Sequence, residues 1–274
     1  MTLPNFLCIG VQRAATTWLH KCLEAHPDVF VPDEKELHFF NFHWNQGIAW
    51  YEGHFDSSGD ASAVGEITPN YLHEAPLERI CETLPDVRLI VILREPVSRA
   101  FSAYRLLHEK LGAMTFQKAC ETESYLVDQS LYAEKLEQLY SFFPREQVLV
   151  ALYDEINTDP VGVYQNVCRH LNVKQIPPPP ELNQTFNHIL FPRTQALFSK
   201  MHLTWTLDLI KRTPIADTIK RFAKNKQKIR LQQSRNDDQI SPELRRRFDN
   251  DIERLETLIE RDLSNWKSKI AAIA

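Results

Sequence analysis

The sequence predicts an α/β fold with a central parallel sheet and a mainly helical C-terminal portion. Four short apolar runs have the composition of buried strands. Helical patterning separates each run from the next, and this alternation is typical of parallel sheets. The proline run at 177–180 then ends the alternation, and only helical segments follow it.

The predicted elements follow in chain order. Strands are predicted over 6–10, 63–67, 88–93 and 147–152, and helices over 16–25, 75–84, 96–111, 130–143, 159–171, 215–231 and 242–260. Ser241 and Pro242 suit the start of the last helix, as its N-cap and first helical residue. We therefore expect a single domain over 1–274, with an α/β core over 1–175 and a mainly helical part over 176–274.

Composition and charge restrict the classes of function. The chain has 274 residues, a net charge of −4 and a pI near 6.2, so no bulk basic field draws it to nucleic acid and anion binding must be local. No apolar run reaches the length of a membrane span, and the N-terminus lacks a signal-peptide pattern. The five scattered cysteines favour buried thiols in a reducing compartment. We expect a cytoplasmic protein without a nucleic-acid partner.

The first predicted strand turns sharply into a helix, and this turn is the first candidate anion site. Arg13 lies in the turn, and Thr16 and Thr17 begin the helix, whose N-terminal N–H groups and dipole favour an anion. Ala15 stands where a Walker A loop has its second glycine, and no Gly-Lys pair follows. The cation and two hydroxyls indicate a phosphate ester. The alternative is an ordinary turn with a solvated arginine.

A second candidate anion site follows the strand over 88–93. Arg94 comes at the carboxyl end of that strand, which is the edge where parallel sheets bind ligands. Pro96 then begins a helix, so Arg94 and Ser102 can converge on one phosphate. Arg99 lies nearby, with a solvent-facing position as its alternative. The alternative for the site as a whole is an arginine that only covers the sheet edge.

Together, the two turns resemble those of the sulfotransferase family that uses 3′-phosphoadenosine 5′-phosphosulfate (PAPS) as donor. The resemblance is strongest to carbohydrate, heparan-sulfate-type and bacterial members. It extends to Pro-Asp-Glu-Lys-Glu-Leu-His-Phe-Phe at 32–40, Gly-Glu-Ile-Thr-Pro-Asn-Tyr at 65–71 and the helix that ends at 258–266. It implies a P-loop-like, three-layer fold, PAPS as the donor, adenosine 3′,5′-bisphosphate as the product, and sulfuryl transfer to a hydroxyl or amine.

The resemblance also implies which residues bind the donor. The 5′-phosphosulfate is assigned to the first turn, at Arg13, Ala14, Ala15, Thr16 and Thr17. The 3′-phosphate is assigned to Arg94 and Ser102, which have the family's eight-residue spacing. Trp18 is a candidate to stack on adenine, with core packing as the alternative, and Arg193 is a candidate donor contact. The family usually has lysine in place of Arg13 and glycine in place of Ala14 and Ala15, which puts the catalytic rate in question.

The segment at 32–40 supplies the candidate base. The resemblance assigns this role to Glu36, and burial beside Phe39 and Phe40 would raise its proton affinity. Lys35 either steadies the sulfuryl oxygens or pairs with Glu36, and His38 is the alternative base. Neither His38 nor His43 has a partner at metal-ligand spacing, so no metal is expected. The aromatic stretch at 39–55 forms either a wall of the acceptor cleft or a buried loop.

The sequence leaves the acceptor and the oligomeric state open. A small molecule, a carbohydrate and a carrier-bound group all remain candidate acceptors. The basic run at 220–230 contacts an acidic acceptor or carrier, or else forms a solvated helix face. Two other functions stay open. One is a degenerate family member that binds nucleotide or a partner without turnover, and the other is a nucleotide-dependent phosphotransferase.

Overall fold

Five parallel strands form the central sheet. They are β1 (Phe6–Gly10), β2 (Val29–Phe30), β3 (Ala63–Ile67), β4 (Arg88–Leu93) and β5 (Val148–Leu152). The structure is a computed structural model that describes residues 2–111, 114–179 and 240–271, with only the backbone for 108–110 and 268–271. All of these residues belong to one compact unit.

The strand order is β2-β3-β1-β4-β5, which determines where a ligand can bind. The chain leaves β1 toward β2 on one side of the sheet and leaves β4 toward β5 on the other. Loops that leave adjacent parallel strands in opposite directions open a crevice at their carboxyl ends, and ligands bind there. This crevice lies between β1 and β4, the strands that carry both predicted anion-binding turns.

Helices connect and cover the strands. They are α1 (Thr16–Glu24), α2 (Ile48–Gly53), α3 (Tyr71–Glu74), α4 (Leu77–Thr83), α5 (Pro96–Leu111), α6 (Phe116–Thr122), α7 (Ser124–Asp128), α8 (Ala133–Phe142), α9 (Tyr153–Thr158), α10 (Pro160–His170), α11 (Pro242–Ile259) and α12 (Ser264–Ala271). All residues of β1 and β3 are buried, as expected for strands that helices cover on both faces. The α/β class with a parallel sheet is confirmed.

The predicted elements agree closely with the observed ones. All four predicted strands are present, and β5 begins one residue later than predicted. The predicted helices over 16–25, 75–84, 96–111, 130–143, 159–171 and 242–260 are present as α1, α4, α5, α8, α10 and α11. The side chain of Ser241 accepts the Leu244 N–H and caps α11 as predicted. The predicted helix over 215–231 lies outside the described residues, and the proposed domain division stays a prediction.

Gly65 of β3 has no side chain, and this allows β3 to pack directly against Phe6 of β1. A Cβ on Gly65 would come within 2.3 Å of the Phe6 carbonyl oxygen and 2.6 Å of its ring. Because the nearer of these atoms belongs to the backbone, no side-chain movement can relieve the clash. Gly65 thus sets the packing of the strand that carries Glu66, which fixes the candidate base loop below.

Candidate active site

The two predicted anion-binding turns meet at the carboxyl ends of β1 and β4. The Val11 N–H donates to the Ile92 carbonyl at 2.9 Å, which ties the first turn to β4. An Arg94 Nη1 donates to the Arg13 carbonyl, also at 2.9 Å. The two turns are therefore in direct contact at this edge of the sheet.

The backbone of the first turn has two left-handed residues. Arg13 has a φ of 74° and Ala15 a φ of 68°, a conformation that a Cβ makes costly and that glycine adopts freely. Ala15 is the N-cap of α1 and provides no side-chain hydrogen bond to the first turn. Since the first N–H groups of a helix have no intrahelical acceptor, they can donate to an anion.

The other residues predicted in this turn differ in exposure. Thr17 is exposed and Thr16 is buried, while Ala14 is fully buried and its N–H donates to the Val11 carbonyl at 3.3 Å. Trp18 is only 4% exposed and packs in the hydrophobic core. This burial favours the core-packing alternative for Trp18, and its contact with adenine stays a prediction.

The guanidinium of Arg13 lies against the second turn. Its Nε donates to the Ser102 Oγ at 3.1 Å, so two residues that the resemblance assigned to opposite ends of the donor are in direct contact. The Arg94 guanidinium lies over the ring of Tyr153, with its Cζ 4.4 Å from the ring centroid. Ser102 lies on α5, and Arg94 lies just before it. Both positions agree with the prediction.

Glu95 caps α5, so the helix terminus itself is not the second anion site. Its two carboxylate oxygens accept the N–H groups of Val97 and Ser98 at 2.9 and 2.7 Å. These are first-turn donors that would otherwise face a ligand. Binding at this turn therefore depends on the side chains of Arg94 and Ser102.

Arg99 is fully buried, so its solvent-facing alternative is wrong. Its Nε donates to the Ser130 Oγ at 2.7 Å and an Nη2 donates to the Leu126 carbonyl at 2.9 Å. Burial lowers the pKa of Arg13, and the positive charges of Arg94, Arg105 and Arg99 lower it further. Sequence reasoning missed Arg105, although its place one turn after Ser102 on the same helix would have indicated it.

The cluster fits a ligand that carries several negative oxygens. Among the described residues, no ion pair joins Arg13, Arg94 or Arg99 to a carboxylate, and the buried Nε of Arg94 has no hydrogen-bond partner. Clustered cations without counter-charges are unfavourable until an anion compensates them.

The loop over 33–40 carries the candidate base. Lys35 Nζ and Glu36 Oε1 are 2.9 Å apart, and the Glu36 side chain is 32% exposed. Glu36 is thus partly buried, while the two neighbouring aromatic residues of the loop, Phe39 and Phe40, are more deeply buried. Both rings are fully buried and pack against the Tyr51 ring.

His38 lies beside this pair. Asn41 Oδ1 accepts the Phe42 N–H at 3.0 Å and lies 3.2 Å from His38 Nδ1. The other ring nitrogen of His38, Nε2, lies 3.8 Å from a Glu36 oxygen. Phe42 stacks on the His38 ring and is 65% exposed, unlike the buried aromatic residues of the same loop.

The buried carboxylate of Glu66 fixes the base loop. It accepts the hydroxyls of Tyr51, Tyr71 and Thr68 at 2.7, 2.9 and 2.5 Å, together with the backbone N–H of Leu37. Burial raises the pKa of Glu66, and these hydrogen bonds oppose the rise. Leu37 lies between Glu36 and His38. The hydrogen bond from its N–H to Glu66 therefore fixes this part of the loop next to β3.

A chain of polar contacts links the first turn to the base loop. The Tyr125 hydroxyl donates to Gln12, whose amide donates to Asn70. Glu74 accepts from Asn70 at 2.7 Å and from Asn41 at 3.3 Å. Sequence reasoning assigned no role to these residues, because none of them belongs to a recognisable catalytic pattern.

Two other sets of predicted residues lie outside the described part of the chain: Arg193 and the basic run at 220–230. Within the described ranges, no cluster of three or more histidine, cysteine, aspartate or glutamate side chains could hold a metal ion. No helix of the described residues is long and apolar enough to cross a bilayer.

Several known proteins are similar to this chain in sequence and in fold. The chain matches the family model of the sulfotransferase domain over residues 3–261. Heparan sulfate glucosamine 3-O-sulfotransferase 6 of Mus musculus is 33% identical over 184 residues, which are 63% of this chain and 53% of that protein. The corresponding 3-O-sulfotransferase 3B1 of Homo sapiens is 33% identical over 186 residues, which are 64% of this chain and 47% of that protein.

A solved structure extends the similarity to most of the chain. The crystal structure of a sulfotransferase from Alicyclobacillus acidocaldarius is 25% identical, has a TM-score of 0.71, and is covered completely by 97% of this chain. The chain spans about half the length of the two heparan sulfate relatives. The family match, together with the converging turns and the base loop, shows that the chain belongs to the sulfotransferase domain family.

Proposed function

We propose that this chain transfers a sulfuryl group from PAPS to a hydroxyl group of its acceptor. The observation that carries the proposal is the convergence of Arg13, Arg94 and Ser102 at the crevice between β1 and β4. It provides two cations and one hydroxyl, which suit the phosphate groups of a 3′-phosphorylated donor. The base loop over 33–40, which Glu66 of β3 holds in place, supplies Glu36 as the base. Because β3 and β4 flank β1, this loop and the turn with Arg94 lie on opposite sides of the first turn.

The first turn of α1 stabilises the departing phosphate. PAPS supplies the sulfuryl group, and negative charge grows on the bridging oxygen of the 5′-phosphate as transfer proceeds. The N–H groups that follow Ala15 and the exposed hydroxyl of Thr17 provide fixed donors for that charge. By analogy with phosphoryl transfer, this positioning and charge stabilisation do most of the catalytic work.

Glu36 accepts the proton of the attacking hydroxyl. The acceptor oxygen forms its bond to sulfur while the bond between sulfur and the bridging oxygen breaks, and the proton moves to the Glu36 carboxylate. Lys35 supplies positive charge next to this carboxylate. His38, whose Nε2 lies 3.8 Å from a Glu36 oxygen, is the alternative base.

The acceptor we favour is a carbohydrate hydroxyl. The relatives that support this class are named as sulfotransferases of heparan sulfate glucosamine. The exposed ring of Phe42, stacked on His38, offers an apolar surface beside the base, where a sugar ring can pack. Transfer to an amine is the alternative, since the same base would serve it.

A thermal-shift comparison tests the donor assignment. Adenosine 3′,5′-bisphosphate should raise the melting temperature by roughly 5 °C or more at about 100 times its Kd. AMP and ATP at the same concentration should raise it far less, because neither has a 3′-phosphate. Equal shifts for all three nucleotides would contradict the assignment.

Two arginine variants, one at the start of β4 and one directly after its end, provide a matched comparison of bisphosphate binding. Arg94→Gln should remove most of the shift that the bisphosphate causes, because it removes a cation from the site. Arg88→Gln, at the opposite end of the same strand, should keep the wild-type shift. A full shift in Arg94→Gln would place the 3′-phosphate elsewhere.

A further inference from the structure

We propose that Glu74 is a positioning residue for the transfer step. Its carboxylate fixes the amide of Asn41, which lies against His38, and links this contact to the turn after β1. This inference rests on the proposed function, because the position of the base loop affects transfer only if that loop supplies the base. Glu74 acts through these neighbours and does not touch the reacting atoms.

Three side-chain amides hold the Glu74 carboxylate. Asn70 Nδ2 donates to its Oε1 at 2.7 Å, and Gln129 Nε2 donates to the same oxygen at 3.3 Å. Asn41 Nδ2 donates to Oε2 at 3.3 Å. The amides come from the start of α3, the end of α7 and the residue that follows the base loop. Because hydrogen bonds to a charged acceptor are stronger than those between neutral groups, one half-buried carboxylate fixes all three relative to one another.

Glu74 also determines which end of the Asn41 amide lies against His38. An ionised carboxylate only accepts hydrogen bonds, so Asn41 Nδ2 turns to Glu74 and Oδ1 turns away from it. Oδ1 accepts the Phe42 N–H at 3.0 Å and lies 3.2 Å from His38 Nδ1. The opposite orientation of the amide would place its nitrogen against the Phe42 N–H. The contact with Glu74 therefore keeps an oxygen beside the His38 ring.

His38 connects this amide to the candidate base. Its other ring nitrogen, Nε2, lies 3.8 Å from a Glu36 oxygen. Glu36 and His38 have φ values of 65° and 55°, which a Cβ makes costly, so contacts with the surrounding structure must hold them in place. Glu66 fixes the backbone between them, and Asn41 contacts the His38 ring. Loss of the contact between Glu74 and Asn41 should therefore move side chains of the base loop and leave its backbone bound.

The same carboxylate is linked to the turn that carries Arg13. The Gln12 amide in this turn donates to Asn70 Oδ1, and Asn70 donates to Glu74. A continuous set of side-chain hydrogen bonds therefore joins the turn to Asn41, next to the base loop. Transfer requires accurate placement of the donor relative to the base, and a displacement of about 1 Å can lower the rate by about 100-fold. We infer that the set keeps the base loop at a fixed distance from this turn.

Steady-state kinetics of Glu74→Gln tests the inference. A glutamine amide has one acceptor oxygen where the carboxylate has two, so the link between Asn70 and Asn41 is broken. We expect kcat for transfer from PAPS to fall about tenfold, because the base is displaced. The KM for the acceptor and the Kd of adenosine 3′,5′-bisphosphate should stay within about threefold of the wild-type values. Glu78→Gln, which changes an exposed carboxylate on α4, is the control and should keep the wild-type kcat.

Asn41→Ala removes the same contact from the other side, so it tests the inference even if Glu74→Gln does not fold. It should lower kcat by a similar factor. The double variant should lose no more than about twofold beyond the larger single effect, because both changes break one link. Effects that multiply would show that Glu74 does not act through Asn41 and would overturn the inference.

Two other outcomes would also overturn it. One is a wild-type kcat in Glu74→Gln. The other is a raised acceptor KM or bisphosphate Kd at unchanged kcat, which would make Glu74 a binding residue. In both cases the wild-type protein transfers sulfuryl groups, so the proposed function stands. If the wild-type protein does not transfer them, the proposed function fails and the inference fails with it.

Discussion

Two residues of the first turn hold a conformation that their side chains disfavour. Arg13 and Ala15 both have positive φ, although neither is a glycine. A Cβ in the left-handed region costs on the order of 1 kcal/mol. The chain keeps the shape of the turn because β4 and α5 fix it through Val11 and Arg13.

Replacing Ala15 by glycine should stabilise the protein. Ala15→Gly removes the unfavourable Cβ and places a better N-cap residue, which outweighs the greater freedom of glycine in the unfolded chain. We expect the free energy of unfolding to rise by about 0.5 kcal/mol, measured by urea denaturation. Ala14→Gly is the control, because it removes a fully buried methyl group and should destabilise by about 1 kcal/mol. A loss of stability in Ala15→Gly would contradict this account.

At the residue scale, the sequence predicted on which element each residue lies but not the contacts between distant elements. Arg94 lies just after β4 and Ser102 lies on α5, as the sequence predicted. The contact between Arg13 and Ser102 joins residues 89 positions apart, and only the packing of β1 beside β4 creates it. The burial of Arg99 likewise depends on α7, a helix of five residues that periodicity does not reveal.

At the scale of elements, the position of the base depends on β3. Glu66 accepts hydrogen bonds from Tyr51 of α2, Tyr71 of α3 and the Leu37 N–H of the base loop. The Phe40 N–H also donates to the Tyr71 hydroxyl at 3.4 Å. A loop with positive φ at Glu36 and His38 is thus held by a fully satisfied buried carboxylate.

The short elements around this carboxylate were not predicted. α2 and α3 have six and four residues, which is too few for helical periodicity to be visible in the sequence. β2 has two residues, which is too short for a recognisable strand pattern. The longer elements were predicted because a buried parallel strand and an amphipathic helix each leave a repeating pattern.

A partly buried histidine of α3 predicts acid sensitivity. Burial lowers the pKa of His73 from 6.5 to about 4. Between these values the unfolded chain binds a proton that the folded chain does not, so stability falls as pH falls through this window. From pH 7.5 to pH 5, this residue should cost up to about 2 kcal/mol.

Urea denaturation of His73→Leu at both pH values measures this contribution. The variant should lose about 2 kcal/mol less than the wild-type protein between pH 7.5 and pH 5, because it has no group to protonate there. The comparison uses only the difference between the two pH values, so a constant cost of the substitution cancels. Identical pH dependence in the two proteins would contradict the role of His73.

At the scale of the molecule, three arginines lie close together near one crevice although the chain has a net negative charge. The net charge is −4, yet Arg13, Arg94 and Arg99 have no carboxylate ion pair among the described residues. Their shared position follows from the strand order, which brings the loops after β1 and β4 together. The sequence predicted the parallel sheet and both turns, which meet at the crevice where we propose that the donor binds.

The base loop lies next to β3, the second strand that pairs with β1. Because β3 and β4 flank β1, the loop held by Glu66 and the turn that carries Arg94 stand on opposite sides of the first turn. This arrangement separates donor binding from proton transfer. A change of base should therefore reduce transfer and leave nucleotide affinity intact.

The most direct measurement compares sulfuryl transfer from labelled PAPS to glycan hydroxyls with nucleotide affinity in the same protein preparations. The wild-type protein should transfer label, and Glu36→Gln should lower kcat by about 100-fold or more while its Kd for adenosine 3′,5′-bisphosphate stays within about threefold. Glu34→Gln, an exposed carboxylate in the same loop, should retain wild-type transfer. Wild-type transfer in Glu36→Gln, or no bisphosphate binding by the wild-type protein, would contradict the account.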